Sequence, residues 1–265
     1  MSPAAGPSRA DPASTRLPPG RLRLLDEHRW LVFLLPYAVY LVAGSLDPTP
    51  DRPGGSMLGL AIPYAAYPLL YTLKIGLTLA AMALVLPAYR GFAFRVSLRA
   101  VAVGVLGLVV WVGLARLALD RRALGGLGLG WLSALGDRPA LDPLRQFAGA
   151  PGCLAGFLAV RFLGLVLIVP IIEEFFLRGF LMRLVMAPDW WQVPFGRVNR
   201  AALAVSLLFP ALTHPAEMLP AVAWFALVTW LMVRTRNLWD CVAAHATTNL
   251  LLGIYVLATG NWSLW

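Results

Sequence analysis

Two stretches, 30–46 and 96–119, run with hardly a polar side chain, and blocks of that kind decide what this chain can fold into. About 20 apolar residues in a helix match the hydrocarbon thickness of a bilayer. Within lipid, only helices and closed barrels satisfy every backbone N–H and C=O. Similar blocks recur to the C-terminus, so that 59% of the 265 residues are apolar and 13% charged, against roughly half and a quarter in a soluble domain. The expected fold is all-α, a polytopic transmembrane helical bundle of about seven spans with no soluble catalytic domain. The net charge of +9 does not argue for nucleic acid, because the arginines are dispersed between the apolar blocks and Lys74 is the single lysine. Arginines confined to loops set membrane orientation instead. Cys153 and Cys241 both lie in apolar segments, and buried thiols with neither disulfide nor metal role are expected.

Residues 1–29 are rich in Pro, Ala, Ser and Arg and read as a disordered or amphipathic cytoplasmic tail. Ala43, Gly44 and Ser45 resemble a signal-peptide cleavage site, but nearly thirty residues precede the apolar run, long for an n-region. A retained first span is expected. Spans are placed at 30–46, 67–87, 97–119, 165–186, 201–218, 219–234 and 238–258, divided into an N-terminal transmembrane section with its loop (30–149) and a core (150–265). The stretch from Gly152 to Met186 would be about 50 Å long as a helix, so its first part is read as interfacial or strongly tilted. The arginine bias puts the N-terminus in the cytoplasm and the C-terminus outside. The loop 120–150 carries Arg121, Arg122, Arg138 and Arg145 on the outer side, against the bias. An eighth span there would change the parity.

The polar residues inside the spans are few and informative. Glu173 and Glu174 are adjacent in an apolar run, with Arg178 following. One charge at the bilayer centre costs about 2.5–3.5 kcal/mol on insertion scales, so two acids and an arginine are a heavy liability in a mere anchor. Glu174 and Arg178 are four apart and can pair; Glu173 points about 100° away. Its counterpart must come from another helix, a proton or water. Two histidines stand in apolar segments, His214 and His245, and Asn249 shares a helix face with His245. His28 precedes the first span and is expected at the surface. Singly, each residue has an ordinary explanation: a packing histidine, a structural ion pair, an asparagine joining helices. Together they point to one shared buried site on three helices. Lys74 is expected to snorkel or to line a polar crevice, Asp240 to favour a helix dipole, and Trp190, Trp191, Trp262 and Trp265 to anchor the interface.

In order along the chain, Glu173-Glu174-x-x-x-Arg178, then His214, then His245-x-x-x-Asn249 resembles the CAAX-protease and bacteriocin-processing intramembrane proteases, over roughly residues 150–258. One departure is plain: the family's second motif carries Phe four residues before its His, where this chain has Pro210, with Phe209 one residue earlier. The run Arg234 to His245 and the ending Thr259 to Trp265 also resemble a bacterial branch associated with exosortase systems, which implies a bacterial inner membrane. The resemblance implies an intramembrane endopeptidase acting on a membrane-anchored protein or peptide in the bilayer. Glu173 and His214 would activate water, His245 and Asn249 would face the scissile carbonyl as oxyanion donors, and Glu174 and Arg178 would support them. Glu173, His214 and His245 also make a candidate three-ligand zinc set, although the spacings are not those of His-Glu-x-x-His. Two rival readings use the same residues: a proton-coupled transporter, or a non-catalytic scaffold or immunity protein that kept the pocket.

Overall fold

The computed structural model describes residues 27–49, 55–131 and 140–264; nearly all of the tail expected over 1–29, Arg138 and Trp265 lie outside them. The regular structure of the described residues is helical, with one isolated bridge between Gly55 and Ala61. The helices are α1 (Leu31–Gly44), α2 (Tyr67–Tyr89), α3 (Leu98–Leu117), α4 (Leu119–Gly126), α5 (Pro151–Leu184), α6 (Arg200–Thr213), α7 (Met218–Thr235) and α8 (Leu238–Thr259). Five helical stretches are long and apolar enough to cross a membrane, and α1 and α6 are shorter apolar helices. Their outer leucines lack protein neighbours, with Leu69 72% and Leu212 79% exposed, as expected of surfaces that meet lipid rather than a core.

Local chemistry sets the boundaries. Ser97, Asn199 and Asn237 cap α3, α6 and α8 by accepting from backbone N–H groups in the first turn, the role short polar side chains fill at helix starts. Gly260 ends α8 at φ +68, a left-handed conformation that costs glycine little. At the end of α6, Pro215 follows His214. A residue before proline is driven out of the α region, so the helix stops at Thr213 and His214 takes φ −131, ψ 57.

The span expected at 165–186 begins earlier. α5 is one continuous helical stretch from Pro151, 34 residues long, so its extra length is not a separate interfacial helix and must be taken up by tilt or protrusion. It contains two wide π turns, Leu163–Ile168 and Phe175–Leu181. The span expected at 201–218 is likewise broken at His214.

Contacts define two ends of the bundle. At one, Asp240 Oδ1 accepts from Ser97 N (2.7 Å), Asn237 Nδ2 donates to Arg95 O (2.7 Å) and Trp239 Nε1 to Phe92 O (3.0 Å). Arg183 is buried there on the carbonyls of Val193, Gly179 and Trp191. Asp240 therefore ties α8 to the start of α3 rather than serving its own helix alone. Trp190, expected at the lipid interface, is buried edge-on to Phe33 and Phe180. At the other end, Lys74 pairs with Asp47, Arg121 Nε donates to Ala216 O (3.2 Å), and Asp120 accepts from Leu219 N (3.1 Å). Cys153 is exposed at the start of α5, against expectation, and Cys241 is buried.

Two glycines let α3 approach its neighbours. A Cβ at Gly104 would meet Thr247 Cβ at 2.5 Å, and one at Gly107 would meet Trp224 Nε1 at 2.5 Å and Thr248 Oγ1 at 2.6 Å. Close backbone approach at small residues is how membrane helices gain contact without a hydrophobic drive. Thr248 Oγ1 donates to Gly104 O at 2.8 Å across this seam.

Candidate active site

Glu174 lies wholly inside the protein and connects two helices. One carboxylate oxygen pairs with Arg178 one turn on, and Oε1 lies 3.1 Å from His245 Nδ1 on α8. Arg178 Nη2 in turn donates to Phe225 O at 3.1 Å on α7, and to Thr229 Oγ1 at 3.4 Å. A buried ion pair is sustained only when such further hydrogen bonds satisfy its remaining atoms. Glu174 thereby holds the His245 ring in orientation. With Nδ1–H on the carboxylate, Nε2 is the nitrogen left for the cavity: a lone pair in the neutral ring, a donor in the cation. Trp224 packs edge-on against the same imidazole, centroids 4.5 Å apart, and is held by a 3.0 Å hydrogen bond to Thr248 Oγ1.

His214 stands outside helical geometry at the end of α6. Thr213 Oγ1 lies 2.9 Å from its Nδ1. Its ring sits 5.8 Å from Trp111 and 5.9 Å from Phe225, so the two histidines share one aromatic surround. Phe209 lies behind this wall, against Tyr37, Phe176 and Phe225, and is not among the described residues lining the cavity.

Asn249 is placed by a defect in α5. In the π register of Leu163–Ile168 each carbonyl pairs five residues ahead. For Leu165 that residue is Pro170, which has no N–H. Asn249 Nδ2 donates to this carbonyl at 2.9 Å. One amide hydrogen is therefore committed to the helix, and the oxyanion role expected of Asn249 rests on the other.

Glu173, His214, His245 and Asn249 all line one cavity of about 300 Å³ between α1, α2, α3, α5, α6, α7 and α8. Glu174 and Arg178 are not among its lining residues; they stand behind His245. From Glu173 the cavity extends toward the Asp47–Lys74 end of the bundle, along Tyr37, Tyr40, Tyr67, Tyr71, Lys74, Arg161 and Glu217. Burial pushes the Asp47 carboxyl above the ordinary carboxylate range, and Lys74 and then Arg161 pull the other way. Sequence reasoning missed most of this half. One signal was available: Arg161, Leu165, Val169 and Glu173 are each four apart, a single helix stripe, and all four line the cavity. Lys74 does line a polar crevice, one of the two positions expected for it.

Residues 155–251 match the family model for type II CAAX prenyl endopeptidase Rce1-like proteins. The chain is similar to that family over this segment. The match spans all six candidate site residues and excludes α1 to α4, so the matched segment meets Tyr37, Lys74 and Trp111 from outside it. No curated protein and no solved structure matches the chain. The fit of a metal to the cavity can be judged from the donors themselves. Among the described residues no three His, Cys, Asp or Glu side chains gather closely enough to hold a metal ion. Glu173, His214 and His245 share the cavity without forming such a cluster, and this arrangement does not fit the three-ligand zinc set.

Proposed function

We propose that the chain is an intramembrane endopeptidase hydrolysing a membrane-anchored protein or peptide, with water activated by Glu173 and His214. The observation that carries this is the convergence of Glu173, His214, His245 and Asn249 from three helical segments on one cavity. Water is a poor nucleophile at neutral pH and needs a positioned base. Glu173 takes a proton from water while His214 holds the oxygen, and the hydroxide adds to the scissile carbonyl. His245, fixed by Glu174, and the remaining Asn249 hydrogen face the oxygen that gains charge. Collapse breaks the C–N bond, and the proton on Glu173 passes to the leaving amine. No step is routed through a metal.

Orientation follows from the arginines. The end away from the cavity carries Arg29, Arg90, Arg95, Arg99, Arg183, Arg197, Arg200, Arg234 and Arg236, and the cavity end carries Arg116, Arg121, Arg122 and Arg145 among the described residues. The richer end belongs in the cytoplasm, so substrate enters from the opposite leaflet. The host membrane is the bacterial inner membrane, and the exosortase-associated branch is the relationship that its terminal motifs favour.

The test is a processing assay in membranes with candidate membrane-anchored substrates, comparing wild type with Glu173→Ala, His214→Ala and His245→Ala. Loss of the cleaved product in each variant is expected. Full processing by all three would remove the hydrolase reading and leave a scaffold.

A further inference from the structure

α1 brings one more polar side chain to the cavity, beyond the six candidate residues. Tyr37 is 3% exposed and lines the cavity together with Glu173, His214, His245 and Asn249. Its ring is fixed from both helical segments that carry the water-activating pair. It stacks on Phe176, with centroids 4.5 Å and planes 16° apart, and lies 5.9 Å from Phe209. Phe176 follows Glu173 by three residues, and Phe209 precedes His214 by five. A ring clamped in this way presents its polar tip at one place.

That tip is uncommitted. The other buried tyrosines engage their hydroxyls: Tyr67 accepts from Arg161 Nη1 at 2.8 Å, Tyr71 donates to Arg161 O at 3.4 Å, and Tyr89 donates to Val32 O at 3.3 Å. Among the described residues none bonds to the Tyr37 hydroxyl, and it is not one of the polar atoms sealed inside the protein without a partner. It therefore opens on the cavity, close enough to Glu173 for the carboxylate charge to act on it. An unpaired hydroxyl inside a membrane bundle is costly, so one held open here waits for a partner that arrives with water or substrate.

One step of the hydrolysis lacks a group of its own. In the endopeptidase reading Glu173 and His214 serve the attacking water, and His245 and Asn249 serve the carbonyl oxygen. The amide nitrogen is a poor leaving group until it gains a proton, and that needs a positioned acid. A phenol both donates and accepts, and keeps its proton at neutral pH. We infer that Tyr37 is a further catalytic residue, which relays the proton from Glu173 to the leaving nitrogen. As the C–N bond breaks, its electron pair passes to nitrogen, which takes the phenolic proton; the phenol oxygen takes the carboxylic proton of Glu173. Glu173 returns to carboxylate and Tyr37 to phenol, with no further reactant consumed. The relay spares the carboxyl a move between two atoms, where an error of about 1 Å can cost about 10²-fold. This rests on the endopeptidase reading and deepens its last step. α1 lies outside the matched residues 155–251, so none of the three sequence motifs contains Tyr37.

The experiment uses the full chain in nanodiscs. The probes are a quenched-fluorescent peptide spanning the cut site of a substrate processed in the membrane assay, and the same peptide with a thioester at the scissile bond. A thiolate, with an ordinary pKa of about 8.5, leaves without a proton. Tyr37→Phe keeps the ring between Phe176 and Phe209 and removes only the hydroxyl. In single turnover, amide cleavage should fall by about 10²-fold or more, and thioester cleavage by less than about threefold. The amide-to-thioester ratio is taken within each protein, so partial unfolding of the variant cancels. Equal slowing of both probes, or amide cleavage at the wild-type rate, overturns the inference. Difluorotyrosine introduced at position 37, close in shape and more acidic, guards against a variant that fails to fold. It should move the alkaline limb of the amide pH profile to lower pH and leave the thioester profile in place; an unmoved amide limb also overturns the relay. Glu173→Gln, run alongside, should slow both probes, since each needs activated water. If it slows neither, the endopeptidase reading falls and the relay with it; if it slows both while Tyr37→Phe leaves the ratio unchanged, the relay falls alone.

Discussion

Replacing Gly107 by alanine tests how tightly the site is built into the helix seam. The added Cβ would lie 2.5 Å from Trp224 Nε1, 2.6 Å from Thr248 Oγ1 and 2.7 Å from Trp224 Cδ1. Ordinary contact needs about 3.5 Å or more, so something must move by about 1 Å. Neither neighbour is free to do so: Thr248 is bonded to Gly104 O at 2.8 Å and Ala244 O at 3.1 Å, and Trp224 is bonded to Thr248. Overpacking of this kind costs about 1–3 kcal/mol, and a lost hydrogen bond between membrane helices averages about 0.6 kcal/mol. A destabilisation of about 2–3 kcal/mol is expected. Because Trp224 also packs on His245, processing should fall even below the unfolding temperature. Gly113→Ala on the same helix is the control. A Cβ there meets nothing within 4 Å, and removing a mid-helix glycine should stabilise by about 0.5–1 kcal/mol. Thermal unfolding in detergent, read with processing, should move the two variants in opposite directions. Identical shifts, or a neutral Gly107→Ala, would refute the packing argument.

Three further outcomes are expected. Glu174→Ala leaves Arg178 buried without its carboxylate and releases His245, and equilibrium unfolding in mixed micelles should report a loss of about 3–5 kcal/mol. Asn249→Ala abandons the Leu165 carbonyl, and its destabilisation should be smaller in a Pro170→Ala background, where the helix regains an N–H; a double-mutant cycle with no coupling contradicts the π-turn account. Ala148→Cys, in the exposed loop before α5, should react with an impermeant maleimide added outside intact cells, and exposed Arg197→Cys only after the membrane is opened. The reverse pattern would invert the orientation.

Much of the fold was legible because lipid imposes coarse, periodic demands. Apolar blocks located the helices, and improbable polar residues located Glu173, His214, His245 and Asn249. What stayed hidden depends on non-local contacts. Nothing local pairs Glu174 with His245, 71 residues away, or sets Asp47 beside Lys74. The length of α5 was readable, but not its π turns, the first of which leaves the Leu165 carbonyl to Asn249 because Pro170 has no N–H. Trp190 looked like an anchor by residue type, yet its neighbours Phe33 and Phe180 bury it. Arg161 lies in the stretch read as interfacial or strongly tilted, and its role stayed hidden because its partners Tyr67 and Tyr71 come from a helix some ninety residues earlier.

The most direct measurement is single-turnover cleavage of a processed substrate by Glu173→Gln and wild type, purified and reconstituted side by side. The change keeps the shape of the side chain and removes its capacity to take a proton. The account predicts a fall of about 10²–10⁴-fold with the unfolding temperature retained; cleavage at the wild-type rate would contradict it.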